Sequence, residues 1–405
     1  MQIRAFKGLR PSTHLAAEIA SLPYDVVSTD EARELARDNP KSFLRIVRAE
    51  IDLPVDTDPY SDVVYAQAQE NFEQFQHNGW LVREEGPCMY VYQQELGGHS
   101  QRGIVCVCHV DDYNNNVIKK HEKTRRQKED DRTKLNRSLN AHPGPVFLTY
   151  SPKATVDASV TAICENVPMF DFTAVDGVRH TVWKIENHQQ LVAEFDKIPV
   201  CYVADGHHRS ASAARIGEEK RANNPAHTGT EDYNWFLAVL FPQDQLQVLP
   251  YNRLVYDLNG LSTGDFLDKV ASVCTLVPNA APVPVAFGEV SMYLDGKWYG
   301  LSFNKVPQAD PIAKLDVSCL QNTILDPILG IDDPRTSERI DFIGGIRGTL
   351  ELEKRVQKHP GSVAFSMFPV TCEQLMDIAD ADQIMPPKST WFEPKLRSGL
   401  FVHTF

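Results

Sequence analysis

Apolar positions recur at helical spacing between residues 61 and 79. Val64, Tyr65, Ala68, Phe72 and Phe75 fall on one face, and Asn78-Gly79 ends the run, which predicts an amphipathic helix. Ser28 and Glu31 have the spacing of a capping box, and Asn39-Pro40 closes the short helix they open. Residues 89–110 read as a hairpin: MYVYQQE, a Gly97-Gly98 turn and RGIVCVCHV. HPGPVFLTYSP and NWFLAVLFP read as buried strands, and Asp176-Gly177 as a turn between two short ones. After residue 260 the pattern restarts. VSMYLDGKWYGLSF is a hairpin about Asp295-Gly296, TLELEKRVQKHPG a helix, SVAFSMFP a strand and TCEQLMDIADA a helix. The stretch ILDPILGIDDPRTSERIDFIGG reads as loop-rich. The expected class is α+β (mixed α/β), with a core over residues 1–260 and a C-terminal α+β domain over 261–405 packed on it.

Residues 119–137 break the pattern. KKHEKTRRQKEDDRTKLNR holds nine basic residues, four acidic ones and a single apolar residue, Leu135. Charge alone describes a solvated helix laced with ion pairs. Read as one helix, the segment places His121, Arg125, Lys128 and Arg132 on one face and Glu122 and Glu129 on an adjacent stripe. Cations for phosphate beside acids for a metal would suit a polyphosphate with Mg²⁺.

Composition narrows the function. Forty-one Lys and Arg against 54 Asp and Glu give a net charge of −13, which argues against a nucleic-acid scaffold. The N-terminus carries Arg4, Lys7, Arg10 and Glu18 and lacks the apolar run of a secretory signal; no stretch approaches the roughly 18 apolar residues of a membrane span. A soluble cytoplasmic protein is expected, without nucleic-acid or membrane partners. The eight cysteines form no CxxC pair, and Cys106, Cys108 and His109 read as part of a buried strand, not a zinc site.

The sharpest chemical signal is CYVADGHHRS at 201–210. An apolar strand enters a turn at Gly206, and a helix rich in small residues, Ala211 to Ala214, leaves it. Such a turn aims free N–H groups and the positive helix end at one point, and Arg209 adds a forked cation. Asp205 adds a carboxylate. Two adjacent histidines and an arginine are poor core material, so a phosphate-bearing ligand is expected here. Asp176, Gly177 and His180 form a weaker cluster that reads first as a hairpin turn. Lys388 and Thr390 sit in a rigid polar loop.

DGHHR after an apolar strand resembles the signature turn of the ParB/sulfiredoxin-like superfamily. ADGHHR, HEKT followed by KEDDR, the opening LPYDVV and the closing MPPKSTWFEPK together resemble a widespread microbial family catalogued as a domain of unknown function. These motifs span residues 22 to 395. The resemblance implies a nucleotide-binding core with insertions. Within the superfamily, sulfiredoxin chemistry needs a cysteine where this chain has His207 or His208, and the ParB reading needs a basic DNA-binding module. Kinases that phosphorylate free L-serine fit best. The implied function is a nucleotide-dependent phosphotransferase using ATP or ADP with Mg²⁺. The alternative is a regulatory module that binds or hydrolyses nucleotide without a small-molecule acceptor. Catalytic candidates are Asp25, Glu122, Asp205 and His208. Phosphate-binding candidates are Gly206, His207, Arg209, His121, Thr124, Lys128, Arg132 and Lys388, and the metal candidate is Asp131. Replacing His208 or Arg209 by Ala is expected to weaken nucleotide binding with little change in melting temperature.

Overall fold

The computed structural model describes residues 1–307 and 309–405. The chain divides into two compact units, Met1–Leu246 with Pro394–Phe405, and Gln247–Glu393. Residues 247–260 thus group with the second unit and the end of the chain with the first, where the sequence pattern placed the boundary after 260 and kept the tail in the second part. The class is α+β.

The first unit is built on a nine-stranded mixed sheet. Its order begins Ile118–Lys119, Cys201–Asp205, Val146–Tyr150, Trp235–Pro242, His99–His109 and Met89–Leu96, and ends with Arg179–Ile185 and Phe170–Thr173; the ninth strand, Ile3–Arg4, pairs antiparallel with His99–His109 off this path. Cys201–Asp205 runs parallel to Ile118–Lys119, and Val146–Tyr150 parallel to Trp235–Pro242; the other pairs are antiparallel. Strands buried on both faces need continuous apolar runs, and Val146, Phe147 and Leu148 with Val239 and Leu240 supply them. Cys106 and Cys108 are fully buried in the predicted hairpin, and none of the eight cysteines is in a disulfide.

A helical layer forms a second core. The helix Asp62–His77 buries Val64, Tyr65, Ala68, Phe72 and Phe75, the face its spacing predicted. Each large apolar side chain removed from water there contributes about 1.5–3 kcal/mol. Leu135 and Leu139 of the helix Arg126–Leu139 pack into the same cluster. That helix corrects two expectations. It starts at Arg126, so His121 and Glu122 lie outside it: Ile118 and Lys119 are drawn into the sheet beside Cys201 and Tyr202. Nor is it solvated all round, because Asp131, Arg132, Thr133 and Asn136 are buried along with its two leucines. Hydrogen bonds permit this. Thr133 and Asn136 donate to Ser212 Oγ at 3.3 and 3.0 Å, and Tyr65 donates to Asp131 at 2.9 Å.

The second unit holds a six-stranded antiparallel sheet with the predicted hairpin Glu289–Leu294 and Lys297–Phe303 and the predicted strand Val363–Met367. The helix Thr349–Lys358 covers it through Leu352 and Val356. The stretch read as loop-rich contains the strand Ile340–Gly344. Among the described residues no helix is long and apolar enough to cross a membrane.

Candidate functional site

Cys201 to Ala204 are buried in the strand Cys201–Asp205, and a register shift between Val203 and Asp205 ends its regular pairing. Gly206 then takes φ 95°, and the helix His207–Asn223 begins without a side-chain cap. Only glycine adopts that backbone freely. A Cβ at Gly206 would also stand 3.0 Å from Arg209 Nε. The first helical bond from this end runs from Ser210 N–H to the Gly206 carbonyl, so the amides of residues 207–209 precede the ladder. The small Ser212 and Ala213 let the helix Arg126–Leu139 approach closely.

That second helix also starts uncapped by any side chain, after Arg125. Its beginning meets the first one: Arg125 N–H donates to His208 Nε2 at 3.0 Å. Two positive helix ends therefore converge on one spot. His208 is half-buried. Burial lowers its pKa first, Asp25 opposes, and the charges of Arg209, Lys128 and Arg125 lower it further. One carboxylate and three cations thus act on the charge of the imidazole. With Nε2 accepting, neutral His208 carries its proton on Nδ1.

Arg209 is anchored. Its guanidinium donates to Asp205 at 2.7 Å and to the Pro145 carbonyl. Lys395 stands 3.5 Å from the other Asp205 oxygen. Burial would raise the Asp205 pKa, but Lys395 and then Arg209 outweigh it and hold the carboxyl far below its usual range. Asp205 is thus ionised and shared between two cations. Behind Arg209 lies a cavity of about 20 Å³ bordered by Tyr24, Arg132, His142 and Ser398, room for one water.

His121 and His207 are both buried, edge to face with ring centroids 4.4 Å apart. Glu122 is exposed, and its carboxylate lies 3.8 Å from His207 Nδ1. Burial pushes the His121 pKa down to about 4 and holds His207 well below the usual histidine value, so both rings are neutral. They are not the cations expected for phosphate.

The remaining candidates separate. Asp25 is exposed and acts on the charges of both His208 and Arg209. Lys128 donates to the Tyr60 hydroxyl at 2.8 Å, and Thr124 to Glu129 at 2.9 Å. Asp131 is buried, accepts from Tyr65 and pairs with Arg132 at 2.8 Å. Arg132 also lies 3.9 Å over the Tyr24 ring and donates to the Val47 carbonyl. Both charges are spent on packing, so Asp131 has no open face for Mg²⁺ and does not fit as its ligand. Lys388 belongs to the second unit, where it donates to the Tyr251 hydroxyl at 3.4 Å. His180 is held between Tyr92 at 2.8 Å and Arg397 at 3.0 Å, and Arg397 pairs with Asp176, a buried structural network. One site residue was not singled out from the sequence, Lys395. It closes the MPPKSTWFEPK block, and only its spatial partner Asp205 marks it.

The chain is thus an α+β protein whose first unit gathers cations, a carboxylate and two helix beginnings around one turn. Residues 3–318 match the family described as protein of unknown function (DUF1015), and the chain belongs to that family. No curated protein matches it. Among solved structures it is similar to a free serine kinase in complex with AMP, with TM-score 0.38 and 11% identity over 73% of this chain and 91% of that one. A conserved hypothetical protein from Pyrococcus furiosus gives TM-score 0.35 and 12% identity over 73% and 93%. SbnI with a C-terminal truncation, from Staphylococcus aureus, gives 0.38 and 10% over 73% and 85%. At these TM-scores the likenesses decide neither activity nor ligand.

Proposed function

We propose that the first unit is a ParB/sulfiredoxin-like nucleotide-binding core and that the protein is a phosphotransferase acting on a small hydroxyl substrate. The observation that carries this reading is the meeting of two helix N-termini without side-chain caps, with Arg125, Lys128 and Arg209 around them. Backbone amides and cations converging on one point form a cradle for the phosphates of ATP or ADP. Phosphoryl transfer needs mainly such positioning and charge stabilisation.

In this reading the substrate hydroxyl oxygen attacks the terminal phosphorus as the bond to the nucleotide's bridging oxygen breaks. Asp25, exposed beside the turn, accepts the hydroxyl proton. Asp205, committed to Arg209 and Lys395, positions the cations and is not the base. His208 Nδ1–H donates to a phosphate oxygen. The nucleotide brings Mg²⁺ largely hydrated; Asp131 takes no part. L-serine is the acceptor that the motif resemblance points to, and a cytoplasmic location goes with it.

³¹P NMR of the protein with Mg²⁺, ATP or ADP, and a pool of amino and hydroxy acids including L-serine tests this. The expected result is a new phosphomonoester signal that requires protein and L-serine together. Nucleotide hydrolysis without a phosphorylated acceptor would favour the regulatory module. No change in any signal, with no nucleotide binding, would remove the phosphate reading of the turn.

A further inference from the structure

We infer that His121, Glu122 and His207 form a binding site for a divalent first-row transition-metal ion of the Zn²⁺ class, distinct from any Mg²⁺ carried by a nucleotide. The topology brings the ligands together. Ile118–Lys119 and Cys201–Asp205 are neighbouring parallel strands, so both end on the same side of the sheet. His121 follows the end of one strand by two residues and His207 follows the end of the other by two. One ligand atom from each of His121, Glu122 and His207 lies within 4.8 Å of the others. Metal bonds of about 2.0–2.2 Å at tetrahedral angles put two ligand atoms about 3.3–3.6 Å apart. A small rotation closes that gap, and Glu122, being exposed, is placed to make it.

The second observation concerns the two imidazoles. His121 is 2% exposed and His207 5%. Both ring nitrogens of His121, and Nε2 of His207, are buried without a hydrogen-bond partner. The backbone at Val203 and the Asp205 charge act on the His121 ring, but neither closes a hydrogen bond of normal geometry. Buried ring nitrogens are ordinarily satisfied. A metal ion satisfies one on each ring, and a carbonyl such as that of Val203 is the usual partner for the other nitrogen of a ligating histidine. Neutral imidazoles are the form that binds metal. Two imidazoles and one carboxylate select Zn²⁺, Mn²⁺, Fe²⁺ or Co²⁺ over Mg²⁺, which takes oxygen ligands and keeps its waters. Three protein ligands also leave a coordination position open.

The proposal does not rest on the phosphotransferase reading, and its test uses no nucleotide. The full chain is stripped with a chelator and titrated with zinc chloride against a chromophoric chelator. One equivalent of Zn²⁺ is expected, and millimolar Mg²⁺ should not displace it. His121→Ala and His207→Ala should each weaken Zn²⁺ binding roughly 100-fold. Glu122→Gln, at an exposed position that leaves folding intact, should weaken it about tenfold. His14→Ala, at an exposed histidine elsewhere, should change nothing. Absence of zinc uptake by the wild type, or wild-type affinity in Glu122→Gln and in both histidine variants, would overturn the site.

Discussion

Arg209 shows how far the chemistry of one residue depends on its neighbours. From the sequence it is a cation at the mouth of a helix, which is true but incomplete. Its side chain is 10% exposed and tied to Asp205 and the Pro145 carbonyl. Removing one partner of a buried pair leaves an uncompensated charge and costs about 3–5 kcal/mol; Lys395 remains on Asp205 and keeps Arg209→Ala toward the lower end of that range. The expectation that this variant would leave the melting temperature unchanged is therefore corrected: thermal melts should show a clear drop. His208 is different. It is half-buried, and its ring accepts a hydrogen bond from a backbone amide at the mouth of the site. His208→Ala should lose nucleotide binding while the melting temperature moves little. Equal destabilisation by the two variants would make His208 structural. The histidines and Arg209 were visible as a motif; that His207 points to His121 while His208 points to Arg125 was not, because adjacent helical residues diverge by about 100°.

At the scale of the element, the site is a strand, a left-handed glycine and a helix. This was the most legible part of the chain, since an apolar run, Gly206 and a run of small residues leave few alternatives. The helix Arg126–Leu139 was less legible. Its charge hid a buried face of hydrogen-bonded polar groups, and the two-residue strand before it is too short to carry a period. Polar burial depends on partners distant in sequence, here Tyr65 and Ser212. Gly206→Ala tests the turn. It forces a side chain into φ 95° and a Cβ to 3.0 Å from Arg209 Nε, a strain of about 1–2 kcal/mol. The variant should fold with reduced stability and lose nucleotide affinity by more than the lost stability accounts for. Unchanged affinity would mean that the turn does not hold phosphate.

For the whole molecule, buried ionisable groups set opposite responses to acid in the two units. Burial keeps His121 and His403 down to about 4, His180 to about 2, and His142 and His207 well below their usual value, all in the first unit. Below pH ~6.5 the unfolded chain binds protons that these folded rings refuse, so stability falls as pH drops, by about 1.4 kcal/mol per pH unit for each ring. Asp205 adds a loss at lower pH, because its folded pKa is depressed: its contribution is full above about 3.9 and disappears below. In the second unit, burial raises Asp316 to about 7. A raised carboxyl pKa destabilises as pH rises from about 4 to 7, so this unit gains on acidification. Hydrogen exchange corrected for intrinsic rates should show the strand Cys201–Asp205 losing protection from pH 7.5 to 5 while Glu289–Leu294 holds or gains it. A parallel loss in both would contradict the assignment.

The central claim is that a phosphate sits where the helices His207–Asn223 and Arg126–Leu139 begin. Backbone amide NMR during titration with ADP and Mg²⁺ tests it most directly, because it reads the proposed donors at 207–209, and the Arg125 amide that holds His208, one by one. The account predicts saturable shifts that are largest at His207, His208, Arg209 and Arg125, with His208→Ala abolishing them. Saturable shifts centred elsewhere, with these four amides unmoved, would contradict it.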